Sequence, residues 1–595
     1  MPNLAIVNFN TVCATLGGFI AVFGLVSYLF KEKLYLSEAL VSLIAGIIFS
    51  PHATNLIRPL EYAFNDQETL NTITLYFTRL VLGVQLVIAG VQLPSRYLQL
   101  EWKSLALLLG PGMAGMWICT SLLVWAFVPN IGILYALAVG ACVTPTDPVL
   151  SNSIVKGKFA DKNIPKELQK IIIAESGTND GLGYPFLFLP LYLIRYTLHG
   201  NHAAGTAIGM WFYETWAYEI ILGALYGAVV GWLAKELLHW AEERHYIDRE
   251  SFLVFAIALA LFIIGTCGMI GSDDVLACFI AGNTFTWDDW FRLETQDDSL
   301  QPTIDMLLNV AVFIWFGAVA PWHEFAHNSV IPIYRLILLG LLVLLIRRPP
   351  VVFAMHKKIH QIEEWRQALF VGFFGPIGVS AVFYLYVSLE YLRTSVEQHG
   401  HDPEDAEKLG ETMNVVIWFL VICSVIVHGL SIPLGKLGFY IPRTLSQALS
   451  QSEDEPSFHV QPGSAVGFPR LQRIGRSAIL ARDSNPNSRS TSKRASRLIV
   501  SSNGQSQLSL ETGNVNEQPS ADLTKNIQNA NNGSAGISAQ GTEFPDSDQI
   551  TPVAEVNGVP ALDLKQSVRT IRFPDEVKLR ETPNDPATHN DAESK

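Results

Sequence analysis

The sequence predicts an all-α polytopic membrane protein of about thirteen (12–13) transmembrane helices, two of them interrupted, followed by a long polar tail. Three observations carry this. The 595 residues are 49% hydrophobic and only 16% charged, and mean hydropathy stays positive despite a polar final quarter, which excludes an ordinary soluble domain. Apolar stretches near the 17–25 residues that a bilayer requires recur along the chain as far as residue 434. Lysines and arginines gather in alternate linkers between those stretches.

The apolar stretches lie near 10–30, 36–57, 72–93, 104–128, 131–155, 169–194, 211–235, 251–269, 273–286, 303–320, 330–346, 367–390 and 412–434. The first lacks a basic prefix and a small-residue cleavage site, so it reads as a retained span rather than a signal peptide. The ninth is short. With the N-terminus outside, the inward linkers carry Lys31 and Lys33; Arg96 and Lys103; Lys156, Lys158, Lys162, Lys166 and Lys170; Lys235, Arg244 and Arg249; Arg292; and Arg347, Arg348, Lys357, Lys358 and Arg366. The outward linkers hold only Arg58, Arg195, Arg393 and Lys408. One span more or fewer scrambles that alternation, so thirteen is the expected count; twelve follows if the first stretch does not span. All six cysteines fall inside apolar runs and read as small buried hydrophobes rather than as disulfide or metal partners.

Residues 1–440 are therefore expected to form the membrane domain, and 441–595 a disordered cytoplasmic tail in which Ser, Asn, Gln, Pro and Thr replace apolar runs. Between Arg470 and Arg497 the tail concentrates eight basic residues against one acid. Ser477 in "RIGRS" and Ser496 in "KRAS" resemble basic-directed phosphorylation sites, where phosphate would weaken attraction to anionic membrane lipid. A solvated basic linker explains the same composition. "RFPDEVKLRETPND" near the end reads as a docking motif for an unknown regulatory protein.

Ionisable groups at membrane depth are costly and mark pathways by default. In "VTPTDPVL" Pro145 and Pro148 free the carbonyls of Ala141 and Thr144, while Thr144, Thr146 and Asp147 add polar side chains. Such a break either builds an ion site or is a kink with Asp147 capping the downstream half-helix. In "IIIAESGTNDGLGYP" Ser176, Asn179 and Asp180 share one helical face; a carboxylate, an amide and a hydroxyl suit a small alkali cation. The alternative is a buried polar network that only holds helices together. In "GSDDVLAC" Ser272 is a candidate N-cap with Asp273 and Asp274 in the first turn; the competing reading puts both acids on a cation path. Arg347 and Arg348 end a span, where snorkelling is the ordinary explanation. "GPIG", Gly375 to Gly378, breaks a second apolar run. One interrupted segment in each half of a chain points to inverted repeats whose breaks cross at a midplane site.

These motifs, "TPTDPVL", "AESGTND", "RRPPVV" and "FGPIGVSA", resemble the sodium/proton antiporters of the monovalent cation:proton antiporter family, nearest to its fungal plasma-membrane alkali-metal cation/proton antiporters. The resemblance covers about residues 10–440. It implies thirteen spans in two inverted repeats, a mobile core against a dimerisation domain, and a homodimer. It implies a plasma-membrane, multi-pass exchanger with a cytoplasmic tail that exports Na+ and Li+, with K+ as a further candidate, against H+, serving salt tolerance and cytosolic pH. By motif match Asp180 carries the cation or the proton in turn, Asn179, Ser176 and the Thr144 backbone stand near the cation, Asp147 sits at the crossing, and Asp273 and Asp274 match an acidic pair. A carboxylate in that role must titrate near the working pH. One departure stands out. Where many relatives have "GLRGA", whose arginine pairs with the glutamate of the "ES" motif, this chain has Gly378, so Glu175 lacks its expected partner and is either protonated or paired elsewhere, with Arg347 and Arg348 as candidate substitutes. No cofactor and no nucleic-acid partner is expected, and no Ser/His, HExxH or paired-aspartate protease pattern points to an enzyme. An endosomal or vacuolar exchanger, a cation sensor and a channel are the alternatives.

Overall fold

The structure is a computed structural model that describes residues 8–34, 36–155, 160, 164–197, 203–399 and 403–451. Helices and their connections account for all of them; no strand occurs among the described residues. In chain order the main helices are α1 (Asn8–Tyr28), α2 (Glu38–Phe49), α3 (Gln67–Gln92), α4 (Trp102–Phe127), α5 (Ile133–Cys142), α6 (Pro148–Val155), α7 (Lys166–Gly181), α8 (Gly183–Thr197), α9 (Ala204–Glu243), α10 (Arg249–Ile270), α11 (Asp274–Phe285), α12 (Leu300–Val319), α13 (Ile333–Ile346), α14 (Pro349–Met355), α15 (Trp365–Phe373), α16 (Val379–His399) and α17 (Pro403–Gln451).

Eight of the helical stretches are long and apolar enough to cross a bilayer, among them α1, α3, α4, α9, α10 and α12. The other expected spans contain helix but are short or interrupted. α2, α5 and α11 are apolar helices of 10–12 residues. The stretches near 131–155, 169–194 and 367–390 divide into α5/α6, α7/α8 and α15/α16. The expected tail sites Ser477 and Ser496, with the basic stretch around them, lie outside the described residues.

Helix starts follow ordinary capping chemistry. Asp66 accepts the Thr69 N–H at 2.7 Å to open α3, and Asp248 accepts the Ser251 N–H at 2.8 Å to open α10. The deepest helix is α11, packed against α3, α9, α7 and α10. Small residues let the backbones approach: a Cβ on Gly90 of α3 would sit 2.6 Å from the Phe279 carbonyl oxygen of α11. On the other side of α11, the α9 stripe Gly223, Gly227 and Gly231 does the same, with a Cβ on Gly223 falling 2.7 Å from the Asp273 carbonyl oxygen. The outer faces of α1, α9, α10 and α13 instead expose Leu25, Leu225, Leu237, Phe262, Leu341 and Leu345, surface suited to lipid rather than water. The cysteines are less uniformly buried than expected: Cys142, Cys267 and Cys278 are buried, Cys119 and Cys423 half-buried, and Cys13 exposed among apolar neighbours on α1; all six are free thiols.

Candidate functional site

Two proline-broken segments meet at the centre of the core. The chain leaves α5 after Cys142 and re-enters helix at Pro148, a residue whose missing N–H costs nothing in the first turn. It leaves α15 after Phe373 and re-enters at Val379. The breaks cross in direct contact, the Asp147 N–H donating to the Pro376 carbonyl at 3.0 Å. Asp147 then serves both downstream halves: Oδ2 accepts the Leu150 N–H at 2.8 Å, and Oδ1 accepts the Val379 N–H at 2.9 Å. One carboxylate thus caps two half-helix N-termini, where backbone dipoles favour negative charge.

Arg347 answers it at the opposite ends. Its guanidinium donates to the carbonyls of Val143, Thr144 and Gly375, the frayed C-terminal ends of α5 and α15. Two further polar groups of the second break are also occupied. The Ile377 N–H donates to Ser424 Oγ at 2.7 Å, and His428 Nε2 lies 3.0 Å from the Phe373 carbonyl oxygen. Irregular backbone at membrane depth is tolerated where protein groups satisfy it in this way.

Glu175 has a partner, and it is Arg348. Nη1 and Nη2 reach the two carboxylate oxygens at 2.7 Å each, while Nε donates to the Val371 carbonyl at 2.9 Å. Both side chains are fully buried. Neither arginine snorkels; each is 2% exposed. The reason an arginine cannot stand at position 378 is also local: a Cβ on Gly378 would lie 2.5 Å from Cγ and Oδ2 of Asp147.

The polar face of α7 packs on the first break. Asn179 clamps Thr146, accepting its N–H at 3.1 Å through Oδ1 and donating from Nδ2 to its hydroxyl at 2.7 Å. Ser176 Oγ lies 3.1 Å from Thr146 Oγ1 and 3.3 Å from Ser151 Oγ. Asp180 is 0% exposed, and neither of its carboxylate oxygens has a hydrogen-bond partner among the described residues. The Ser380 hydroxyl faces it without closing a hydrogen bond of ordinary geometry. Thr144 is turned differently from its neighbours: its hydroxyl bonds back to Gly140 at 2.8 Å and its carbonyl meets Arg347.

At the start of α11 the cap is Asp273, not Ser272. Asp273 Oδ1 accepts the Leu276 N–H at 2.9 Å, while its buried Oδ2 has no partner among the described residues. Ser272 instead donates to the carbonyls of Tyr218 and Glu219, because α9 packs across the α10–α11 junction. Asp274 pairs with Arg79 of α3 at 2.7 Å. Arg79, Asp274, Ser272 and Glu219, with Tyr184 and Phe383, line a cavity of about 250 Å³.

The structure thus brings Ser176 and Asn179 onto the first break, with Asp180 on the same face and Asp147 beside Thr146; sequence reading underweighted Thr146, Ser151, Ser380 and Tyr384. Ser380 and Tyr384 were within reach of the pattern, standing four apart on the helix that follows the "GPIG" break. Arg79 gave no signal beyond being one more arginine in a span.

The model of a family described as sodium/hydrogen exchanger, transmembrane, matches residues 18–434. The chain is 37% identical over 80% of its length to a Na(+)/H(+) antiporter 2 of Zygosaccharomyces rouxii and 36% identical over 79% to a Na(+)/H(+) antiporter of Saccharomyces cerevisiae. It spans 59% and 48% of those two relatives' lengths. A Na(+)/H(+) antiporter of Schizosaccharomyces pombe, 34% identical over 73% of the chain, is covered over 93% of its own length. Among solved structures, the sodium proton antiporter MjNhaP1 of Methanocaldococcus jannaschii superposes with a TM-score of 0.51 at 18% identity, covering 71% of this chain and all of that one, and so shares the fold. The chain belongs to the sodium/hydrogen exchanger transmembrane family.

Proposed function

We propose that the protein is a secondary antiporter that exchanges an alkali cation for H+ by alternating access, with both ions competing for Asp180. One observation carries the reading: a wholly buried carboxylate whose two oxygens close no hydrogen bond of ordinary geometry among the described residues, beside the Asn179–Thr146–Ser176 cluster. A buried acceptor left open is expensive unless a ligand fills it. A proton or a bare alkali cation satisfies the same lone pairs, so each excludes the other, and exclusion couples the two fluxes. Asp147 is less suited to the carrier's part, since both its oxygens already hold backbone N–H groups. Its role is to keep the crossing charged and intact, with Arg347 at the other poles.

The relatives' names favour Na+ as the cation. Export of Na+ and Li+, transport of K+, a plasma-membrane location, a homodimer, and the division into a membrane domain (1–440) and a cytoplasmic regulatory tail (441–595) belong to this proposal. So do roles in salt tolerance and cytosolic pH. The cavity beside Asp274 and Glu219 opens at the α10–α11 junction, the side that the linker charges assign to the exterior. It suits an outer vestibule for an arriving cation, with Asp273 and Asp274 along its approach. Its wall includes part of an eleven-residue π-helical stretch, Trp211–Ile221, which carries Glu219.

The test is ion exchange in sealed proteoliposomes holding an acid interior and a pH-sensitive dye. External Na+, Li+ or K+ is expected to collapse the gradient, and Asp180→Asn to abolish the collapse while leaving assembly unchanged. Robust exchange by Asp180→Asn overturns the role given to that carboxylate. Cation binding without any exchange favours a sensor instead.

A further inference from the structure

Tyr384 is fully buried on α16, and its hydroxyl donates to the carbonyl of Asp180 and, at 3.3 Å, to that of Gly181. These carbonyls close α7 at the point where helix hydrogen bonding fails. Leu182 turns the chain out of α7, and Pro185 has no N–H to offer Gly181 four residues back. The second broken helix therefore supplies the donor that the first polar helix lacks. The room for it is built in: a Cβ on Gly183 would lie 2.5 Å from Cε2 and Cζ of the Tyr384 ring. The ring also meets Tyr184 in an edge-to-face contact, centroids 5.4 Å apart. Tyr184 and the neighbouring Phe383 in turn line the cavity, so the Tyr384 ring connects that cavity's wall to the Asp180 backbone.

We propose that Tyr384 is a positioning residue that sets which cation Asp180 accepts, by holding the Asp180 and Gly181 carbonyls as acceptors of its own hydroxyl and out of the ion's coordination shell. The proposal rests on Asp180 being the carrier. With one lone pair of each carbonyl engaged and its direction held by Tyr384, the two carbonyls are poorer ligands, and the cation meets chiefly oxygens from Asp180 and its neighbours, which suits a small ion. Released, they swing toward the ion and add oxygens at longer range, an arrangement that tolerates a larger one. Backbone placement also fixes where the Asp180 side chain sits relative to Asn179 and Ser176 on the same helical face.

The experiment compares KM and maximal rate for Li+, Na+ and K+ in proteoliposomes of the full chain, for the unaltered protein, Tyr384→Phe, Gly183→Ala and Asp180→Asn. Tyr384→Phe is expected to raise the Na+ KM and to compress the KM ratio of K+ to Na+ by roughly tenfold, the scale of losing one buried hydrogen bond. Maximal rate should change much less. Gly183→Ala, which keeps the hydroxyl but displaces the ring, should move the ratio the same way, and decides the matter should Tyr384→Phe fail to assemble. An unaltered ratio in the assembled variants, or a fall in rate and thermal stability with KM untouched, overturns the proposal, since a ring that only packs would do that. Exchange surviving in Asp180→Asn instead overturns the carrier assignment beneath it.

Discussion

Arg348 grips Glu175 through two hydrogen bonds of 2.7 Å in a setting where neither side chain meets solvent. The pair ties α7, which bears Asp180, to the turn between α13 and α14, and through the Val371 carbonyl to the end of α15. It restores, from a different helix, the counter-charge that Gly378 cannot supply. Removing one member leaves a bare buried charge. Arg348→Ala is expected to cost about 3–5 kcal/mol, seen as loss of folded protein and a lowered melting temperature in detergent. The paired change Glu175→Gln with Arg348→Met should be milder than either single change, because it removes both charges. A double variant as unstable as the sum of the singles would contradict this.

Asp147 satisfies two helix ends at once, and its variants should grade accordingly. Asp147→Ala removes both caps and is expected to destabilise by about 1–4 kcal/mol, at 0.5–2 kcal/mol per cap. Asp147→Asn keeps one good acceptor and should lose roughly half of that. Thermal unfolding of the two variants side by side checks the order; equal loss would mean that charge, and not capping, is what the crossing needs.

How much of this was legible beforehand follows from how local each signal is. Pro145, Pro148 and the "GPIG" glycines announce breaks within a few residues, and Ser176, Asn179 and Asp180 announce a shared face through helical spacing alone. The glycine stripe on α9 was equally local and went unremarked. What stayed hidden depends on contacts far apart in sequence. Nothing local distinguishes Arg348 from Arg347, yet one neutralises a carboxylate and the other holds carbonyl ends. Ser272 and Asp273 are equally good caps by residue type, but packing of α9 drew the Ser272 hydroxyl to Tyr218 and left the cap to Asp273. Apolar length also overstates helix length for α2 and α11, which hold 12 residues each within longer apolar runs.

The Arg79–Asp274 pair bounds the cavity at the α10–α11 junction, with Arg79 partly exposed and Asp274 buried. Arg79→Gln leaves Asp274 uncompensated beside the cavity and is expected to lower the Na+ KM at low ionic strength, an effect that fades as salt rises. Asp274→Asn should raise it. Initial exchange rates at two ionic strengths for both singles and the double variant measure the coupling; independence of the two changes would remove the pair from the cation's path.

Outside the spans, Asp289 is held below the usual carboxylate range of about 3.9 by its hydrogen bonds to Arg292, at 2.6 and 2.5 Å. A depressed value in the folded protein means that this contribution is complete above the ordinary carboxylate pKa and is lost as pH falls through the depressed one. Protection against hydrogen exchange in the short helix Trp290–Thr295, corrected for the intrinsic pH dependence of amide exchange, should therefore stay high at neutral pH and fall only in acid. Asp289→Asn should show lower protection at neutral pH and no acid-dependent step; an unchanged profile would show that Arg292 adds nothing there.

The central claim is that proton and cation contend for one carboxylate, and the direct measurement is the apparent Na+ KM of exchange as a function of pH on the cation-binding side. Competition at Asp180 predicts a KM that rises by about tenfold per pH unit through the acidic limb, at constant maximal rate. A KM that stays flat while the maximal rate falls would contradict it, placing the proton on a different group from the cation.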